Sequence, residues 1–537
     1  MKLFQAAKMS RAGLILLFSL LFSHGNQIFA QQSGSGAHGE VIYHVFQRSF
    51  YDSNGDMHGD FNGLREKLDY LQQLGVTSIL LLPTCQSDFY HNYFSSDFEK
   101  LDPRYGTMDD WLGLVKDIHR RKMKIYLDME PQYVTQDHLW YRESYNNPTS
   151  QYSNYLLYKD STNKETEPLI FGITALDGYN GVRKNIAVVN LRNHGVQNYM
   201  LKVFSGWVDP NHDGMFDDGV DGFRLDHMMD ELDGKPRLNH LFDSLWVPLF
   251  TKLKKINPNL KNVAEQANWG SLGKEYFTDG GVDRVFAFRL QQAIASFDKS
   301  KLETIADSTF SITPSGKDQV VFIENHDMDR FSTQVKNDPG KLRVGAGLNL
   351  LIGGIPSIYY GQELGMFGSG GFQKFGNSDA NDIPRREAFE WFKADTGRGM
   401  CLWYKDTGPW WDRTNLKPDD GVSLEEEQND PNSLWNFYKT LIHLRENSDA
   451  LSNGRYRDLK NNNDHVFSFL RTTNKQKVAV VINLSDQPQN SEVDLSGSTA
   501  AKSKKFLLLF GNETAHFSSG KISFQLSPYS IQVMELK

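Results

Sequence analysis

Gly219-Val220-Asp221-Gly222-Phe223-Arg224-Leu225-Asp226 is the stretch on which the reading of this chain turns. It reads as a short buried strand. Side chains alternate along a strand, so Gly222, Arg224 and Asp226 share one face while Phe223 and Leu225 share the other. The glycine leaves room for a close approach, and the guanidinium favours ionisation of the neighbouring carboxyl. Two readings fit the pair. One is a structural ion pair; the other is an oriented, ionised carboxylate at a strand end, as nucleophilic cleavage of a glycosidic bond requires.

Outward from this stretch, apolar runs alternate with helical patterns. The runs are Val41–Gln47, Ser78–Leu82, Lys124–Asp128, Gly222–Asp226, Asn262–Glu265, Arg284–Phe288, Gln319–Glu324 and Ser357–Tyr360. Most are separated by helix-like segments such as Leu64–Leu74 and Met108–Arg121, which predicts an α/β fold, a parallel (β/α)8 TIM barrel over 38–132 and 190–450. Chemistry in such barrels sits at the C-terminal strand ends, and Asp128, Asp226, Glu265 and Asp327 all fall at or just past those ends. About sixty residues separate the third run from the helix leading into the fourth, against about 2–6 for an ordinary βα loop. The Tyr- and Asn-rich segment 133–189 is therefore expected to be an inserted lid subdomain. From residue 455 to 537, short strands with turn signals (Val466–Leu470, Lys477–Asn483, Lys505–Phe510, Ser530–Leu536) predict a C-terminal antiparallel β-sandwich.

At 537 residues the chain calls for one large domain with satellites. A formal charge of −8 offers no basic field for phosphates, so no nucleic-acid partner is expected. Lys2, Lys8 and Arg11 precede the apolar run Leu14–Phe22, and Ile28-Phe29-Ala30 ends in a small residue. This is the layout of a secretory signal peptide over 1–30, too short for a confident membrane span. Export to the periplasm or beyond follows, with no membrane insertion after cleavage, and no cysteine lies nearby to take a lipid. Cys85 and Cys401 read as separate thiols rather than a disulfide framework. A monomer is expected.

Several motifs stand in order. They are the Gly219–Asp226 strand, Asn262-Val263-Ala264-Glu265, Phe322-Ile323-Glu324-Asn325-His326-Asp327, and Tyr93 in His91-Asn92-Tyr93 ahead of Leu101–Thr107. The last is Gly354-Ile355-Pro356 through Gly361-Gln362-Glu363. On these the chain resembles the α-amylase superfamily, glycoside hydrolase family 13, over nearly all of its mature sequence. The resemblance implies a retaining hydrolase of α-glucosidic bonds in α-glucans or malto-oligosaccharides. Asp226 would be the nucleophile with Arg224 as its partner, Glu265 the general acid/base and Asp327 the transition-state stabiliser. Tyr93, Arg224, His326, Asp128, Tyr133 and Arg330 would contact substrate. A retaining pair needs carboxyls about 5–5.5 Å apart, one ionised and one protonated. A transglycosylase or isomerase, such as a trehalose-forming enzyme, would share every one of these residues. A glucan-binding protein with weakened catalysis is the rival from another class.

Asp52, Asn54, Asp56, His58 and Asp60 occupy alternate positions, a spacing that suits oxygen ligands of Ca²⁺. The run also resembles the calcium loop of the family's oligosaccharide-cleaving branches. Asp209, Asn211, Asp213 and Asp217 repeat the spacing; for either loop the alternative is a solvated acidic turn. The family's other calcium, between lid and barrel, is expected to be absent. Gln132-Tyr133 stand where Asn-His would, Val188 fills the usual aspartate position, and Met229-Asp230 replace Lys-His. Tyr133 then takes the place of a histidine that contacts the sugar.

Overall fold

The computed structural model describes residues 39–537; the expected signal segment 1–30 lies outside them. Eight parallel strands close into a barrel: β1 Ile42–Val45, β2 Ser78–Leu81, β3 Lys124–Met129, β4 Gly222–Met228, β5 Lys261–Gln266, β6 Arg284–Phe286, β7 Asp318–Val321 and β8 Ile355–Tyr359. They neighbour one another in chain order, with β8 pairing back onto β1. Each corresponds to one of the eight expected runs. The β7 run stops at Val321 rather than Glu324, because the chain there leaves the ladder to carry Glu324–Asp327 across the mouth. The β6 run ends at Phe286, since Phe288 already begins a helix, Phe288–Ser296. The expected helix Leu64–Leu74 is two helices, Phe61–Glu66 and Leu68–Leu74, broken at Lys67. The Lys67 ammonium lies over the rings of Tyr51 and Trp391, 3.8 and 4.4 Å from their centroids.

Alternation sorts the strands' side chains. Ile42, Leu80, Tyr126, Val263, Phe286, Val320 and Ile355 form one cluster, while Phe223 and Leu225 belong to the larger one. Phe223 packs edge-on against Phe204 of the helix His194–Val208. A Cβ at Gly222 would lie 1.9 Å from the Lys261 carbonyl oxygen of β5, so this glycine sets how closely β4 and β5 approach. Gly222→Ala is expected to destabilise the barrel by about 3 kcal/mol through overpacking, read as a lowered denaturant midpoint at unchanged m-value.

The lid is a five-stranded sheet in the order Cys85–Ser87, Ser95–Leu101, Tyr133–Thr135, Arg183–Val188, Ala175–Asp177. Its first two strands come from the β2-to-β3 connection, within the span that the sequence reading counts to the barrel. They are short and mostly polar, without the apolar run that reveals a strand. Beyond residue 455, a five-stranded and a three-stranded antiparallel sheet enclose a core that includes Val466, Val481 and Met534 from one and Val493, Ile522 and Phe524 from the other. Arg471 joins this domain to the barrel through the carbonyls of Leu351 (3.0 Å) and Gly454 (2.7 Å). Cys85 and Cys401 are free thiols. Among the described residues no helix is long and apolar enough to cross a membrane.

Candidate active site

The inward faces of β3, β4 and β5 meet on Arg224. Its Nη1 donates to Asp128 Oδ2 at 2.6 Å and to Asp226 Oδ1, and its Nη2 lies 2.9 Å from Glu265 Oε2. One guanidinium fork thus holds three carboxyls from three adjacent strands, the planar arrangement at which arginine excels. The register places Asp128 beside Arg224, and the β4–β5 register shifts between Ala264 and Gln266. Such an irregularity at a strand end re-aims a side chain, and here it brings Glu265 Oε2 onto the His227 backbone N–H at 3.0 Å. His227 has φ +47°, a strained value for a residue with a Cβ.

Asp327 closes the site from beyond β7. His326 Nε2 lies 2.9 Å from Asp327 Oδ2 and 2.7 Å from the Tyr93 hydroxyl, which itself donates to Asp128 Oδ2 at 2.8 Å. Both partners of Nε2 accept, so that nitrogen carries the hydrogen. The Tyr93 and His326 rings stack with centroids 5.4 Å apart. Arg386 Nη2 is 3.1 Å from Asp327 Oδ1, and its Nε donates to the His326 carbonyl at 3.0 Å.

The electrostatics separate the carboxyls into two kinds. Burial raises the pKa of Asp226, but Arg224 and a hydrogen bond from Glu130 hold it below the ordinary carboxylate value. Burial pushes Glu265 well up, and the charges of Asp226 and Asp327 reinforce this against the pull of Arg224. Burial also opposes ionisation of Asp327, yet His326 and Arg386 keep its carboxyl well below the usual range. An ionised carboxylate therefore sits beside a protonated one, the division of labour that acid–nucleophile chemistry requires. The side chains of Asp226 and Asp327 remain 14 % and 29 % exposed at the mouth, against 1 % for Arg224, so the two aspartates are open to a ligand and Arg224 lies behind them.

Three of the expected substrate contacts are engaged by protein partners. Arg330 is fully buried: its Nη1 donates to Glu324 Oε1 (2.9 Å) and the Tyr360 carbonyl (2.6 Å), and its guanidinium lies over both Tyr359 and Tyr360. It braces the wall behind the cleft. Asp128 is equally buried and orients Arg224 and Tyr93. Tyr133 gives its hydroxyl to Asp233 Oδ2 at 2.8 Å and is almost wholly buried.

Two residues at the site escaped the sequence reading. Arg386 follows a long irregular segment after β8, where no periodicity marks it. Glu130 lies just past β3, two residues beyond Asp128, which stands opposite Arg224; the alternation applied to β4 would have found it. Glu130 is buried, accepts from the Gln132 N–H at 3.0 Å, and shares a hydrogen bond with Asp226. Two carboxyls can share a bond only if one is protonated. Burial and Asp226 push the Glu130 pKa well up, so the proton is on Glu130. Gln132, noted in the sequence only as a departure, donates Nε2 to the carbonyls of Asp226 (2.6 Å) and His227 (3.2 Å).

The 52–60 loop is held by its own hydrogen bonds. Asp52 Oδ1 accepts from the N–H groups of Asn54 and Gly55, and Oδ2 from that of Met57. Asp60 Oδ1 accepts from Gly63 N–H and the Ser53 hydroxyl, and Oδ2 from Ser53 N–H. Asn54 and Asp56 are exposed, and His58 turns Nδ1 to the Asp56 carbonyl at 3.0 Å.

A (β/α)8 barrel whose mouth sets ionised and protonated carboxyls around one arginine defines an enzyme equipped for glycosidic-bond chemistry. The family model for the catalytic domain of α-amylase matches residues 44–245 and 276–454, and that for the C-terminal domain of maltogenic amylase matches 456–533. The chain belongs to the α-amylase family. It is 29 % identical to Alpha-amylase 3 of Dictyoglomus thermophilum, over 92 % of this chain and 93 % of that protein. It is 27 % identical to the trehalose synthase/amylase of Mycobacterium tuberculosis, over 85 % and 83 %. Among solved structures, the α-amylase from H. orenii superposes with a TM-score of 0.77 at 26 % identity, covering 93 % of this chain and 99 % of that one.

Proposed function

We propose that the protein is an exported, retaining hydrolase of α-glucosidic bonds in α-glucans or malto-oligosaccharides. The observation that carries this is the Arg224 fork, which holds Asp226 and Glu265 side by side with their pKa values driven in opposite directions. Asp226 attacks the anomeric carbon while Glu265 gives its proton to the leaving oxygen, forming a covalent glycosyl-enzyme. Glu265, now a carboxylate, takes a proton from the water that breaks the ester. Asp327, open to the cleft and ionised, holds sugar hydroxyls more strongly as positive charge develops on the ring. Two carboxyls on one guanidinium favour the short, retaining separation over the wider gap that an inverting enzyme leaves for water. Export rests on the charged and apolar pattern of residues 1–30. A calcium ion enters no step of this chemistry.

A transferase or isomerase reading draws support from the lid. Asn377 Nδ2 donates to the Ala175 carbonyl at 3.1 Å, and Phe171 packs on Phe372 with ring centroids 5.5 Å apart. Both contacts bridge the lid to the segment after β8, and a bridged mouth can hold the first leaving sugar against water. Product analysis after incubation with maltose, isomaltose, panose, pullulan and starch separates the two. Free glucose from maltose is expected for the hydrolase; a disaccharide of new linkage with little glucose would establish the isomerase. Failure to alter any of the five would sink both.

A further inference from the structure

Glu130 lies against the nucleophile yet takes part in neither proton transfer of the proposed reaction. It is 5 % exposed, its Oε1 accepts from the Gln132 N–H at 3.0 Å, and it shares a hydrogen bond with the Asp226 carboxyl. Among the described residues no arginine, lysine or histidine forms an ion pair with Glu130, whereas Arg224 pairs with Asp226. A bond between two carboxyls needs one proton, and the cation decides which of them keeps its charge. Asp226 is therefore the carboxylate and Glu130 the donor. Gln132 holds both partners: its N–H is given to Glu130, and its Nε2 donates to the Asp226 carbonyl at 2.6 Å.

This donor differs in kind from Arg224. The guanidinium is shared among Asp128, Asp226 and Glu265, so its pull on the nucleophile is divided. The Glu130 O–H is given to Asp226. When Asp226 bonds to the anomeric carbon its carboxylate charge is lost, and a hydrogen bond to that charge weakens. When water breaks the ester, the electron pair of the C–O bond returns to Asp226 while Glu265 takes the water's proton. A donor already in place then receives the returning charge without reorganising. The Glu130 proton stays on Glu130 throughout.

We propose, on the retaining reading above, that Glu130 is a positioning residue whose O–H holds Asp226 and makes it a better leaving group from the glycosyl-enzyme. Hydrogen bonds to charged groups are among the stronger ones, so losing this one should slow ester breakdown by about 10–100-fold. The acid side of the pH profile carries the same bond. Around Asp226, Arg224 and His227 of β4 favour the carboxylate, while Asp128 of β3, Glu265 of β5 and Asp327 beyond β7 oppose it. Tyr93 and His91 from the β2-to-β3 connection also face Asp226, and Tyr133 of the lid faces both Asp226 and Glu130. Replacing Glu130 changes none of these. Arg224 and the Glu130 O–H both lower the Asp226 pKa; without the O–H that pKa rises, and activity fails at a higher pH on the acid side.

The test compares the whole wild-type protein with Glu130→Leu, which keeps the bulk and loses the donor, and Glu130→Gln, which keeps a neutral donor of the same shape. With a nitrophenyl α-glycoside, Glu130→Leu should release a full initial burst of nitrophenol and then a steady rate about 10–100-fold below wild type. Its acid limb of kcat/KM, which reports the free enzyme, should move to higher pH. Glu130→Gln should restore both the steady rate and the limb. Burst and steady rate lowered alike in Glu130→Leu, with the acid limb unmoved, would reduce Glu130 to packing and overturn the proposal. An acid limb moved to lower pH in Glu130→Gln would overturn it too, since it would mean that a negative charge had been removed. A third readout needs neither substrate nor the leucine variant. The infrared difference between wild type and Glu130→Gln at neutral pH should contain the C=O stretch of a protonated carboxyl, and its absence overturns the assignment. A wild type that cleaves no glycoside sinks the hydrolase reading instead, and the infrared band still decides whether Glu130 is the donor.

Discussion

Asp226→Asn is expected to lower kcat on maltose or starch by on the order of 10⁴-fold or more, the scale seen when a covalent nucleophile is removed. Asparagine matches aspartate in shape and can still face Arg224, so the fold and substrate binding should survive while the attacking charge is gone. The KM should move little, which distinguishes a lost transition-state interaction from a lost binding contact. Reducing-sugar release against a matched wild-type preparation is the measurement. Equal, slow release from both would show that Asp226 attacks nothing and would leave a glucan-binding protein as the surviving account.

Glu265→Gln should cost about 10²–10⁴-fold, the usual contribution of a positioned general acid. The deficit should be largest for sugar leaving groups, which need the proton, and smaller for a nitrophenol that departs as its own anion. The pH profile supplies the sign. Because the Glu265 pKa is raised, its acid form persists above the ordinary carboxylate range, and activity falls on the alkaline side as that proton is lost. Because the Asp226 pKa is lowered, the acid side falls only where Asp226 becomes protonated. In Glu265→Gln the alkaline fall should disappear and the acid fall remain. An alkaline limb unchanged in the variant would assign that titration to another group.

What the sequence could show follows from what periodicity can carry. The barrel strands are apolar or alternating runs, and Phe223 and Leu225 facing the helices left Gly222, Arg224 and Asp226 for the interior, as the alternation required. The lid strands Cys85–Ser87 and Ser95–Leu101 lack such a pattern, because a small sheet lying over the mouth is partly solvated on both faces. Arg330 and Arg386 show the same limit at the site. Both are arginines that follow Asp327 in the chain, and their partners differ. Arg330 is claimed by Glu324, whereas Arg386 is free to reach Asp327. Nothing in residue type distinguishes them; only the packing of the segment after β8 does.

Gln132 links the lid to the strand that bears the nucleophile. The carbonyls it holds are those of the nucleophile and the next residue, and its own carbonyl accepts from Val189 N–H at the end of the lid. The lid is therefore spliced to the attacking residue's main chain by uncharged hydrogen bonds. Any swing of the lid as product leaves would tug at the backbone under Asp226, making alignment of the nucleophile a readout of whether the mouth is shut.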